Sequence, residues 1–109
     1  MSTAFSMMMI KHYKLQADRQ DAAALHAALN DLSAKIAVVD GVIKVDLYRD
    51  AQKPYQFLLV EQWQSEEAHK ASSAVLGKDA FKPIMALLSV PPELETLCAV
   101  STNGVDLTL

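Results

Sequence analysis

Tyr55-Gln56-Phe57-Leu58-Leu59-Val60-Glu61-Gln62-Trp63-Gln64-Ser65-Glu66-Glu67-Ala68-His69-Lys70-Ala71-Ser72-Ser73-Ala74 changes its period part-way along. Up to Trp63 it alternates as a strand does, with Phe57, Leu59, Glu61 and Trp63 on one side and Gln56, Leu58, Val60 and Gln62 on the other. Ser65 then offers a hydroxyl as a helix N-cap, and Glu66 and Glu67 place negative charge where the helix dipole favours it. The single Trp of the chain therefore sits at a strand-to-helix corner. Such a corner serves either as a pocket wall or as a place for an ordinary core aromatic, and the residues alone favour the core.

Upstream, Asp50-Ala51-Gln52-Lys53-Pro54 is polar and holds a proline, which predicts a hairpin loop between this strand and an earlier one over 42–49. In that earlier strand Ile43, Val45 and Leu47 alternate with Lys44, Asp46 and Tyr48. Gly41 precedes it and suits the positive-φ end of a helix. The helix, with Asp18 as its expected cap, shows an apolar stripe of Leu25, Leu29, Leu32, Ile36 and Val39, spaced by four, three, four and three. Residues 5–15 read as a first strand, apolar on both sides around Met7, Met8, Met9 and Ile10. Downstream of the quoted stretch, a second helix carries few strong apolar residues (Ala68, Ala71, Val75, Leu76) and breaks at Gly77. A further helical piece from Asp79 accepts Pro83 in its first turn and is expected to bury Phe81, Ile84, Leu87 and Leu88. Pro91-Pro92 stops it, and Leu94 to Ser101 reads as a fourth strand before a tail at 102–109.

The order strand, helix, strand, strand, helix, strand predicts an α+β fold. Its form is a ferredoxin-like βαββαβ sandwich, an antiparallel sheet with helices on one face. Two helices cover one face only, yet the first and third strands are apolar on both. A second copy packed sheet to sheet resolves the mismatch, so a homodimer is expected.

With 109 residues, the chain is expected to form one domain with its core over 5–101. Its net charge of −3 and the lack of a basic cluster argue against nucleic acid. Cys98 is the sole cysteine, which excludes an internal disulfide and a cysteine-based metal site and points to a reducing cytoplasm. The apolar Met7–Ile10 run is too short for a signal sequence or membrane span, so no membrane association is expected.

Among individual side chains, His69 reads as a surface histidine beside two glutamates or as a pocket group. His12 reads as a strand-face polar residue and His26 as solvated. Tyr48 reads as a contact to a second subunit. Glu61 shares a face with Leu59 and Trp63, so it needs a partner if buried; Arg49 and Lys11 are the available cations. Met7, Met8 and Met9 suit core filling or a surface that moulds to a ligand. Cys98 is expected to be buried and inert.

Val60-Glu61-Gln62-Trp63-Gln64-Ser65-Glu66-Glu67-Ala68 resembles the signature of the antibiotic biosynthesis monooxygenase (ABM) domain family, members of the dimeric α+β barrel superfamily. Chain length, topology, Gly41 and the 81–88 segment agree with it. The resemblance implies oxidation of hydroxylated aromatics (anthrones, quinols) by O2 with neither metal nor flavin, and so with no cofactor. It implies Trp63 and His69 as catalytic residues, His69 exchanging a proton near neutral pH; Leu59, Ser72, Phe81 and Met9 are expected to bind the substrate beside them, with no metal ligand. The chain departs from the family where some members carry an Asn, here Leu59, and where quinol-type members carry a His, here Ser72. No histidine follows His69, which argues against the haem-degrading branch. Two functions are therefore expected to compete: a cofactor-independent monooxygenase, and a non-catalytic dimeric module that binds a small apolar ligand or serves in stress response. An isomerase or decyclase on the same fold is a third.

Overall fold

The alternation of the quoted strand is realised residue by residue: over β3 (Gln56–Trp63) half-buried and buried positions alternate without a break, with Phe57, Leu59, Glu61 and Trp63 buried. The structure is a computed structural model and describes residues 8–100. It contains β1 (Met9–Gln16), α1 (Ala22–Ala37), β2 (Val42–Arg49), β3, α2 (Glu66–Leu76), the short α3 (Lys82–Met85) and β4 (Glu93–Cys98). The sheet order is β2-β3-β1-β4 with every neighbouring pair antiparallel, the order of a ferredoxin-like α+β sandwich. The beginning expected for the first strand (Phe5 to Met7), Ser101 and the tail at 102–109 lie outside the described residues.

Directly paired residues of antiparallel strands share a face. The register therefore puts Lys11, Tyr13 and Leu15 of β1 on the side of Phe57, Leu59, Glu61 and Trp63. Helix α1 covers that side with the expected stripe: Leu25, Leu29, Leu32 and Ile36 are buried, and Val39 just beyond the helix joins them. Burying such aliphatic side chains stabilises by about 1.5–3 kcal/mol each before entropy is counted, so α1 is the main clamp of the core.

Several local expectations are corrected. The Asp18 side chain caps nothing; a 3-10 turn at Arg19–Asp21 leads into α1 instead. A register shift between Val42 and Lys44 puts Val42, not Ile43, opposite Trp63, and Ile43 is exposed; an extra residue in one strand re-aims its neighbours in this way. Val75 and Ala71 face solvent, and the only buried residue of α2 is Ser72. Phe81 is exposed at 37%, although Ile84 is buried as expected. Cys98 is exposed, because β4 is an edge strand that is exposed along its whole length. His26 is half-buried, stacked on Phe57 with ring centroids 5.6 Å apart.

Gly41 has φ +91°, and a Cβ there would lie 2.6 Å from the Ala68 Cβ on α2. Its carbonyl accepts from the Gln64 amide at 2.8 Å. The start of β2 is thereby pressed against the start of α2, which fixes the corner after Trp63.

Candidate active site

Ser65 caps α2 as its position predicts, its hydroxyl accepting from the Ala68 amide at 3.1 Å. With that end fixed, the first turns of α2 lie over the end of β3, so His69 is held against Trp63. The two rings meet edge to face with centroids 5.5 Å apart. They border a cavity of about 270 Å³ whose other walls include Tyr13, Glu61, Ser72 and Phe81.

Trp63 is 1% exposed, so its indole N–H needs a partner. It donates to Glu61 Oε1 at 2.8 Å. Glu61 thus finds an indole where a cation was expected; Arg49 lies at the far end of β2, opposite Phe57. Burial pushes the Glu61 carboxyl above its usual range, against the opposing pull of the Trp63 hydrogen bond and the Lys11 charge.

Lys11 is also buried on this face. Its ammonium lies 3.2 Å from Glu66 Oε1 and donates to Thr96 Oγ1 at 3.0 Å. The pair ties β1 and β4 to the first turn of α2. A buried ammonium without such partners would be costly.

Tyr13 and His69 form the titratable pair of the cavity. Tyr13 Oη and His69 Nε2 are 3.4 Å apart. Burial, and then the nearby Glu61 and Glu66 charges, raise the phenol far above its ordinary value, so Tyr13 is neutral. Burial, followed by the Lys11 charge, holds the His69 imidazole below its ordinary value, so His69 is neutral at pH 7. Its Nδ1 is buried and has no hydrogen-bond partner. When Nε2 carries the proton and donates to the Tyr13 oxygen, Nδ1 is a free acceptor.

The residues expected to form the site divide in space. Trp63, His69, Ser72 and Phe81 line the cavity. The Ser72 hydroxyl donates to the His69 carbonyl, so its proton is committed to the helix backbone. Leu59 lies instead in an adjoining apolar crevice that shares Tyr13 and Phe81 with the cavity. Met9 pairs with Trp63 and Cys98 across the sheet but lines neither space. Tyr13 was absent from the expected set, although its place two residues after Lys11 in an alternating strand is a usable signal. The ion pair of Lys11 with Glu66 spans 55 positions and had no local signal. No group of three or more metal-ligating side chains occurs among the described residues. No helix among them is long and apolar enough to cross a membrane.

The family model described as antibiotic biosynthesis monooxygenase matches residues 8–82, which contain every wall of this cavity. The chain belongs to the ABM family. The solved structures agree on the fold. A protein of Nitrosomonas europaea, provisionally assigned as an antibiotic biosynthesis monooxygenase, superposes with a TM-score of 0.80 at 13% identity, over 91% of this chain and 96% of its own. One from Caulobacter crescentus, provisionally assigned likewise, gives 0.76 at 24% identity, over 89% and 93%. A third, from Bacteroides thetaiotaomicron, is described as of unknown function and a possible oxidoreductase; it gives 0.75 at 18% identity, over 86% and 99%. No functionally curated protein matches the sequence significantly. The ABM fold, a monooxygenase-like architecture, is thus established for this chain.

Proposed function

We propose that this ABM chain oxidises a small hydroxylated aromatic or quinol with O2, without a cofactor, in the cavity between Trp63 and His69. The observation that carries this reading is the His69 imidazole, neutral at pH 7, set edge-on to Trp63 in the cavity wall with Nε2 facing the Tyr13 hydroxyl. A neutral imidazole in a cavity wall is a ready acceptor for a phenolic proton. With an anthrone-like substrate, the neutral His69 imidazole takes that proton. The substrate anion passes one electron to O2, and the resulting radical and superoxide combine as a peroxide. Loss of water from the peroxide leaves a carbonyl, so a CH2 group and O2 become C=O and H2O and no external reductant is consumed. The Lys11 charge favours the anion, and the Trp63–Glu61 hydrogen bond holds the indole against the site.

Oxygen uptake with quinols and anthrones tests the reading. His69→Ala is expected to slow uptake about a hundredfold, and Trp63→Phe to slow it less. Rates unchanged in both variants would refute the assignment of these residues.

We also infer that the chain pairs with a second copy through the open face of the sheet. Half-buried Ile10, Leu58 and Val60 meet exposed Leu97 there, while the His12–Glu95 and Lys44–Asp46 pairs lie around them. Sedimentation should give twice the chain mass, and Val60→Asp should give the chain mass. A wild-type monomer at micromolar concentration would refute the pairing.

A second reading, a non-catalytic binding module, draws on Leu59 and Ser72, neither of which presents a free polar hydrogen to the cavity. Ligands that raise the Tm without being consumed would favour it, and turnover would end it.

A further inference from the structure

We propose that the apolar crevice beside the His69 cavity is a subsite for an alkyl chain carried by the aromatic ligand. The proposal rests on the reading of the His69 cavity as the place where the hydroxylated ring binds. The crevice has a volume of about 160 Å³, and its exposed surface is wholly apolar. Leu29 and Leu32 of α1, Leu59 of β3, and Ile84 and Met85 of α3 form most of it. Its border with the polar cavity is made by Tyr13 and Phe81, which line both spaces.

The two spaces differ in chemistry across that border. On one side are the Tyr13 hydroxyl, His69 and Glu61; on the other only hydrocarbon is within reach. A hydroxyl or amide placed in the crevice would lose its water and gain no hydrogen bond, which is unfavourable by one to several kcal/mol. A chain of methylenes loses nothing there and leaves water. At roughly 30 Å³ per small group, the share of one water in the liquid, the crevice holds a chain of about five carbons. Tyr13 presents its ring to both spaces while its hydroxyl stays on His69. Phe81 is part-exposed in the turn before α3, in reach of solvent and of both spaces. A ring seated against Trp63 and His69 can therefore extend its substituent past these two side chains into the crevice.

Binding is measured by calorimetry under nitrogen with resorcinol and its 4-ethyl, 4-butyl, 4-hexyl and 4-octyl derivatives, so no oxidation is needed. Affinity is expected to rise by up to about fourfold per added methylene as far as the crevice is filled, and then to level off. Ile84→Phe adds less volume than one such group to the crevice wall and should make the series level off at a shorter chain, while resorcinol itself binds within twofold of wild type. Met85→Asp, at the exposed rim, should weaken the hexyl derivative several-fold and serves where Ile84→Phe does not fold. A flat series, or a chain-length dependence that neither variant changes, overturns the proposal. Oxygen uptake with alkylhydroquinones separates the two readings. A chain-length gain in binding with no quinol consumed supports the subsite and refutes the oxygenase. Oxidation with no dependence on chain length does the reverse.

Discussion

The helices α1 and α2 lie on the same face of the sheet and do different work. Helix α1 places Leu25, Leu29, Leu32 and Ile36 in the core. Helix α2 buries only Ser72, and over β3 it sets His69 rather than an aliphatic residue. What holds α2 in place is polar and local: the Ser65 cap, the Lys11–Glu66 pair and the close approach of Gly41 to Ala68. Where α1 packs down, the space left beside it is the smaller, wholly apolar crevice of about 160 Å³. A helix anchored at its first turn, as α2 is, can stand away from the sheet and leave a cavity of about 270 Å³.

The comparison predicts that mutations sort by helix. Leu29→Ala removes a fully buried side chain of α1 and should lower stability by about 2–5 kcal/mol in urea denaturation. A loss below 1 kcal/mol would mean that α1 is not the clamp described above. Gly41→Ala should cost about 1–3 kcal/mol, from both the positive φ and the contact with Ala68. Adding Ala68→Gly should recover the steric part and not the backbone part. Full recovery would show that the positive φ costs little, and no recovery that the contact with α2 does not matter.

The polar floor under α2 responds to pH. Because burial raises the Glu61 pKa in the folded state, the folded chain holds a proton that the unfolded chain has released above its ordinary 4.5. Stability contributed by that site is present below 4.5 and is lost as pH rises through the folded value. Glu61→Gln keeps an acceptor for the Trp63 N–H and does not ionise. The variant should therefore gain stability relative to wild type as pH rises from 4.5 to 8, read from paired thermal melts. A constant difference would show that Glu61 is not held above its ordinary value. The smallest expected effect is Lys11→Met. Burial is the larger cause of the low His69 pKa and would remain, but the Lys11 charge would go, so His69 should titrate at higher pH in an NMR titration of its ring protons. A downward move would break the account of how α2 and β1 tune the site.

The signals legible in the sequence were periodic or adjacent. The alternation of β3, the stripe of α1, the Ser65 cap and the Gly41 stop each depend on residues within one or two turns of one another, and each is present. The Trp63 corner is legible in the same way, while a site role for His69 comes only with the family resemblance of the stretch before it. What failed depended on neighbours from elsewhere. Cys98 reads as buried in an apolar strand, but the edge position of β4 exposes it. Phe81 reads as core, but its short turn leaves it at the mouth of two spaces.

Local pattern thus determined the main strands and helices of this chain, their order, the buried sides of α1 and β3 and the corner that carries Trp63. Only the tertiary structure decided that Tyr13 meets His69, that Glu61 serves the indole, and that Lys11 turns to Glu66. The physical reason is that periodicity states which way a side chain points, while the partner it meets is set by strand register and helix placement. Those are properties of the whole sheet, in which β1 pairs with residues of β3 and β4 that are forty or more positions away.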